Sequence, residues 1–284
     1  MLRMPPQDDP GKIMYFSIQF LIEFLILGAF VGFLTGLFGI GGGVFLVPTL
    51  LFIFLKNGIS LEIATPMAAG TSLAVAFVAS FSTSLAHKKR NSINYRLALI
   101  LIISGVIGAQ LGAICATHWD PVIVTKLFGM IVSLLGIYVF LFQATEPLPT
   151  HEDKRFFIKA TLIGFGVSFL SGCLGIGGGS MMIPMLILFL DIPGTTAVGT
   201  SSLFMTMAAL SGVAGYIIHG WDIKPLPPLS LGYLHYGVLA VTTISIFSVN
   251  RFGVALAHKM NPKLLARLLA ALLLLIGLRS LFFI

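Results

Sequence analysis

Residues Gly36 to Pro48 read GLFGIGGGVFLVP, and residues Gly172 to Pro184 read GCLGIGGGSMMIP. Apolar residues flank both stretches. Glycine in a helix interior costs about 1 kcal/mol relative to alanine. A chain that interrupts itself twice with nearly the same residues has a use for the interruptions.

The surroundings decide what those interruptions break. Of 284 residues, 57% are hydrophobic and 10% are charged, with a mean hydropathy of +1.02. A water-facing surface ordinarily draws on about 25% charged residues, so lipid is the main solvent here. Several apolar runs reach the roughly 20 residues that cross a bilayer core. The net charge of +7 does not point to a nucleic-acid partner. The cations fall in short loops between apolar runs, the pattern that orients membrane proteins. Cys115 and Cys173 lie inside apolar segments and offer neither a disulfide framework nor metal-ligand spacing. The first apolar run, residues 13–38, is too long for a signal-peptide core and reads as a transmembrane helix.

The glycine words belong to an internal repeat. Gly39 to Gly43 matches Gly175 to Gly179, and Pro48 matches Pro184, at a separation of 136 residues. AAGTSL from Ala68 then matches AVGTSS from Ala197, and GAQLGAICATHWDP aligns loosely with VNRFGVALAHKMNP. Each half divides into five helical segments. The first half gives 13–38, 43–55, 62–86, 95–117 and 121–142, and the second gives 157–174, 180–190, 195–218, 226–249 and 263–283. The expected organisation is an N-terminal tail (1–12), membrane repeat 1 (13–142), a cytoplasmic linker (143–156) and membrane repeat 2 (157–284). The fold class is therefore all-α: a polytopic membrane protein of about ten helical segments, with glycine-broken half-helices. Five segments are an odd number, so the second half enters from the opposite face. The halves are then inverted repeats, a plan common among secondary transporters.

Segments 43–55 and 180–190 are too short to span about 30 Å of hydrocarbon. Short, glycine-interrupted segments at matching places in two halves point to a transporter's substrate site. A helix start carries N–H groups without intrahelical partners and the positive end of the macrodipole, and so favours an anion. Glycine allows a ligand close to that backbone. The candidate substrate-binding residues are Gly41, Gly42 and Gly43, with Gly177, Gly178, Gly179 and Ser180 in the second copy. The repeated G-T-S words add the hydroxyls of Thr71, Ser72, Thr200 and Ser201. A phosphate-binding P-loop is excluded, because Val44-Phe45 or Ser180-Met181 stands where a Lys-Ser/Thr pair is required. Gly32 and Gly36 form a small-residue packing face. Glu23, whose counterpart is Lys159, is expected near an interface. No span carries a nucleophile with its base or a metal cluster, so neither an enzyme nor a cofactor is expected.

Two copies of G-I-G-G-G with a proline five residues on, each trailed by G-T-S, resemble the TauE/SafE sulfite exporter family, also called the 4-toluene sulfonate uptake permeases. The resemblance runs from about Phe30 to Leu281. It implies a transporter of small sulfur-containing anions, such as sulfite, sulfoacetate or related organosulfonates. The segment PLPPLSLGYLHYGVLAVTTISIFSVN departs from its counterpart LILIISGVIGAQLGA in having fewer small residues. The combined expectation is alternating-access transport of a small anion across the cell membrane (the inner membrane in a Gram-negative bacterium), coupled to a proton or sodium ion. The alternative is a passive anion channel.

Eleven of the 17 Lys and Arg residues fall on the side of Lys88 and six on the side of Lys56. The richer side is expected to be cytoplasmic, with both termini outside. In a background without native cysteines, a cysteine at Asn57 should react with an impermeant reagent from outside, and one at Asn91 should not. The reverse pattern would overturn the orientation.

Overall fold

Inside lipid each backbone N–H and C=O needs a partner within the protein, so long apolar runs fold as helices. The computed structural model describes residues 18–38, 42–141, 154–257 and 259–282. It contains helices α1 (Ile18–Phe38), α2 (Gly43–Lys56), α3 (Leu61–Lys89), α4 (Tyr95–His118) and α5 (Pro121–Leu141), then α6 (Lys154–Leu174), α7 (Gly179–Leu190), α8 (Gly194–Gly220), α9 (Tyr236–Ala257) and α10 (Pro262–Phe282). A two-residue antiparallel pair, β1 (Ser230–Leu231) and β2 (Leu234–His235), precedes α9. Among the described residues, eight helices are long and apolar enough to cross a membrane. The short ones are α2 and α7, with 14 and 12 residues. The protein is thus an all-α, polytopic membrane protein. Proline at the first position of α5 and α10 fits helix starts, where its missing N–H is harmless.

Sequence and structure differ most at the ninth segment. Residues 226–249 were expected to be helical, but α9 begins at Tyr236. Pro225, Pro227 and Pro228 cannot donate backbone hydrogen bonds, and Gly232 has a φ of +56°, outside the helical region. Residues 230–235 form the small hairpin instead. Helix α6 starts at Lys154, inside the stretch assigned to the linker. The tail 1–12 and the linker residues before Lys154 lie outside the described residues.

Glycine seams set the packing. On α1, Gly28 abuts Thr242 and Ser245, Gly32 abuts Ile246, and Gly36 abuts Asn250, so α1 and α9 run parallel. Gly164 at Leu101 and Ser104, Gly105 at Ser168, and Gly112 at Phe169 and Cys173 make α4 and α6 parallel. By contrast α5 and α10 run antiparallel, with Gly129 against Gly277 and Gly136 against Ala270 and Leu274. Helices α3 and α8 are also antiparallel: Gly70 meets Tyr216, and Thr206 meets Ser80. Ser211 donates to the Val106 carbonyl at 2.8 Å and Gly215 lies on Ala113, so α8 runs parallel to α4.

These directions fix what α2 and α7 do. Both α6 and α8 run with α4, so α7 between them runs back toward the face that α6 left. Following the short connections from α9 through α10, α5 and α4 to α3 makes α1 and α3 parallel, so α2 runs back as well.

The α4–α6 seam admits no side chain at Gly108, where a Cβ would press into the Phe165 carbonyl, whereas Gly166 has no atom within 4 Å of such a Cβ. Gly108→Ala should therefore cost about 1–3 kcal/mol, as overpacking does, and lower the melting temperature. Gly166→Ala should not. Equal melting temperatures for the two variants would refute this account of the seam.

Candidate functional site

The two glycine turns come together. A Cβ on Gly43, the first residue of α2, would strike the carbonyl group of Ile176 in the second turn. Backbone of one half therefore rests on backbone of the other, as only glycine permits. Within the second turn Gly175, Gly177 and Gly178 take φ values of +72°, +81° and +69°. The sequence-equivalent Gly42 has φ −77°. At this position the two motifs match in letters but not in conformation. Gly41 lies outside the described residues.

The turns deliver helix starts into the interior. The Gly42 carbonyl accepts from the N–H groups of Phe45 and Leu46, and the Gly178 carbonyl accepts from those of Met181 and Met182. The amides just before these, at Gly43 and Val44 and at Gly179 and Ser180, precede the helical ladder. The Gly179 N–H turns back to the Gly177 carbonyl at 2.9 Å. Pro48 and Pro184 lie inside α2 and α7. Each removes one donor from its helix.

Helices α3 and α8 embrace the second turn. Ser72 donates to the Gly175 carbonyl at 2.8 Å. Ala69 and Ala76 crowd Gly175 and Gly177, and Met205 of α8 covers Gly177 and Gly179. Tyr216, fully buried, donates to the carbonyls of Gly172 and Cys173 at the end of α6.

The threonines of the two G-T-S words make equivalent contacts. The Asn94 N–H donates to Thr200 Oγ1 at 3.0 Å, and the His235 N–H donates to Thr71 Oγ1 at 3.1 Å. Each donor residue immediately precedes a helix, α4 or α9, and caps it. Asn94 Oδ1 accepts from the Leu97 N–H, and His235 Nδ1 accepts from the Val238 N–H. Gly70 and Gly199 leave room for the carbonyls of Tyr233 and Ser92. Ser201 donates to the Val198 carbonyl of its own helix. Ser72 and Ser201 thus spend their protons on backbone, while the two threonines are hydrogen-bond acceptors here.

Two hydroxyls at the turns are differently placed. Thr35 Oγ1 and Ser180 Oγ are buried and have no hydrogen-bond partner among the described residues. A Cβ on Gly42 would lie 3.3 Å from Thr35 Oγ1, and one on Gly178 would lie 3.4 Å from Ser171 Oγ. Ser180 was among the sequence candidates; Thr35 and Ser171 were not. The signal for them exists, since the repeat extends one residue further back, as TGLFGIGGG and SGCLGIGGG.

Beside the second turn lies a cavity of about 540 Å³, between α2, α3, α5, α6 and α10. Its walls include Val47, Leu51, Ala69, Phe128 and Leu174, and Lys56 and Arg279 line it as well. Thr65 Oγ1, buried and without a partner among the described residues, also lines it. Ala69 and Leu174 connect this space to Gly175, which they flank. Glu23 pairs with Lys56 at 3.0 Å beside it. Lys56 is 56% exposed, so the pair is worth about 1 kcal/mol or less.

A family model, Sulfite exporter TauE/SafE, matches residues 24–280. The chain belongs to this family. Among curated relatives, a probable membrane transporter protein of Methanocaldococcus jannaschii is 31% identical over 268 residues, covering 94% of this chain and 97% of that protein. The probable membrane transporter protein YunE of Bacillus subtilis is 27% identical over 269 residues, covering 89% and 94%. No solved structure matches the chain. In this TauE/SafE family member the glycine words and the cavity fall inside the matched region, which takes in six of the long helices whole and all but the outer ends of α1 and α10.

Conformation sets an order for glycine substitutions. Gly43→Ala pushes into backbone and should separate the turns. Gly178→Ala forces a left-handed residue, which costs about 1–2 kcal/mol. Gly42→Ala meets only side chains at 3.3 Å or more. Loss of thermal stability should follow Gly43 > Gly178 > Gly42. Equal losses at Gly42 and Gly178 would contradict the assigned backbone.

Proposed function

We propose that the chain carries a small anion through the membrane by alternating access, with the two glycine turns as its binding site. The observation that carries this reading is the pair of buried, unpartnered hydroxyls, Thr35 and Ser180, at two turns in backbone contact. A buried polar group without a partner is costly, and an oxyanion would accept from both. The starts of α2 and α7 add partial positive charge and the amides of Gly43, Val44 and Ser180 ahead of their helical ladders. The described residues nearest the second turn are alanine, serine and methionine, so selectivity would come from neutral donors.

Helix directions support reading the halves as inverted repeats. Self-equivalent helices pair antiparallel, α3 with α8 and α5 with α10. Unlike helices pair parallel, α1 with α9 and α4 with α6. A two-fold axis in the membrane plane generates this set, and rocking one repeat against the other exposes a midplane site alternately. The cavity supplies an approach from the side of Lys56, whose cations attract anions. The family name points to a sulfur-containing oxyanion or an organosulfonate as substrate.

Purified protein in liposomes should take up sulfite or a small sulfonate saturably, and should prefer anions to amines and neutral sugars. Thr35→Val removes the hydroxyl while keeping its shape. It should weaken anion binding about tenfold or more, the value of a hydrogen bond to a charged group, with unchanged or raised thermal stability. Uptake of a cation without any response to anions, or normal anion affinity in the valine variant, would defeat this reading.

A further inference from the structure

At the C-terminal ends of α4 and α8, His118 and His219 face each other edge-on, with ring centroids 5.7 Å apart and planes at 81°. Each ring uses the same nitrogen in the same way. His118 Nδ1 lies 2.9 Å from the Ile114 carbonyl, and His219 Nδ1 lies 2.8 Å from the Gly215 carbonyl, in both cases four residues back in its own helix. A carbonyl only accepts, so Nδ1 carries the proton. Nε2 of each neutral ring then holds its lone pair. Metal-ligating histidines characteristically give their other ring N–H to such a carbonyl, which fixes the tautomer and raises ligand basicity. Both imidazoles are already in that state.

The setting favours a cation. Helices α4 and α8 are parallel, so two negative helix ends lie side by side. With Nε2–metal bonds of about 2.0–2.1 Å, two imidazoles on one ion have centroids about 5–6 Å apart. Trp119 and Trp221, the C-cap residues of the two helices, are exposed and suit the membrane–water boundary. The pair therefore sits where aqueous ions reach it. Its members lie 101 residues apart in the chain, which hides the pair from any sequence motif.

We propose that His118 and His219 form a two-imidazole site for a divalent transition-metal cation, Zn²⁺ by ligand type, with water completing the coordination. Imidazole ligands suit zinc and copper. The site goes beyond the transport reading and does not depend on it. It joins α4 of the first half to α8 of the second, so an ion held there clamps the two halves at one face. The equivalent positions in the repeat, Lys259 and Arg90, hold no imidazole.

The test uses the full chain without a polyhistidine tag, purified in detergent, with Cu²⁺ as a spectroscopic probe. At one equivalent the electron paramagnetic resonance spectrum should show coupling to two imidazole nitrogens, and Zn²⁺ in large excess, needed because imidazole sites favour Cu²⁺, should diminish the signal. His118→Gln and His219→Gln should each leave one coupled nitrogen and weaken binding about tenfold or more, as when a chelate becomes a single ligand. His87→Gln should change nothing. Melting temperatures of the metal-free variants, checked alongside, separate ligand loss from unfolding. Two-nitrogen coupling that survives in either His118→Gln or His219→Gln, or a wild-type spectrum without it, would overturn the proposal.

Discussion

The arrangement depends on one approach of backbone to backbone, Gly43 of α2 against the carbonyl of Ile176. Hydrocarbon tolerates helix ends only where protein surrounds them. Two interrupted segments that meet can shelter each other's free amides and carbonyls. The remaining helices complete the shelter: Ser72 holds the Gly175 carbonyl, Tyr216 holds those of Gly172 and Cys173, and Met205 covers the start of α7.

The two G-T-S words serve that same enclosure. Thr71 and Thr200 each anchor the residue ahead of a helix from the opposite half, and the neighbouring glycine makes room for the loop. Repetition in the sequence thus marks two jobs at once. It marks the turns, and it marks the struts that position the partner half around them. The hydroxyls of Thr35 and Ser180, without partners among the described residues, contrast with those of Thr71, Thr200 and Ser72, which are committed.

Composition made the membrane class legible, and helical boundaries followed the apolar runs to within three residues apart from the ninth segment and the undescribed start of the first. The ninth failed because apolar content alone could not register what three prolines and Gly232 do to a backbone. The offset of 136 residues located the glycine turns, but not the difference in φ between Gly42 and Gly178, which tertiary contacts impose. Thr35 is legible only one residue ahead of the glycine word, where it matches Ser171 of the second copy. The cavity is assembled from α2, α3, α5, α6 and α10, so no single stretch could announce it.

The parallel pairing of α1 with α9 has a consequence for biogenesis. The groove formed by Gly28, Gly32 and Gly36 is filled by residues around Thr242 to Asn250, more than 200 residues further along the chain. At ordinary rates of synthesis α1 waits about 10–40 s for its partner. Helix α4 likewise waits for α6. Until then each first-half helix shows lipid a glycine-lined strip of backbone. Neither half is a folding unit in its own right, and the nascent protein must be kept from pairing those strips with neighbours before its own second half arrives.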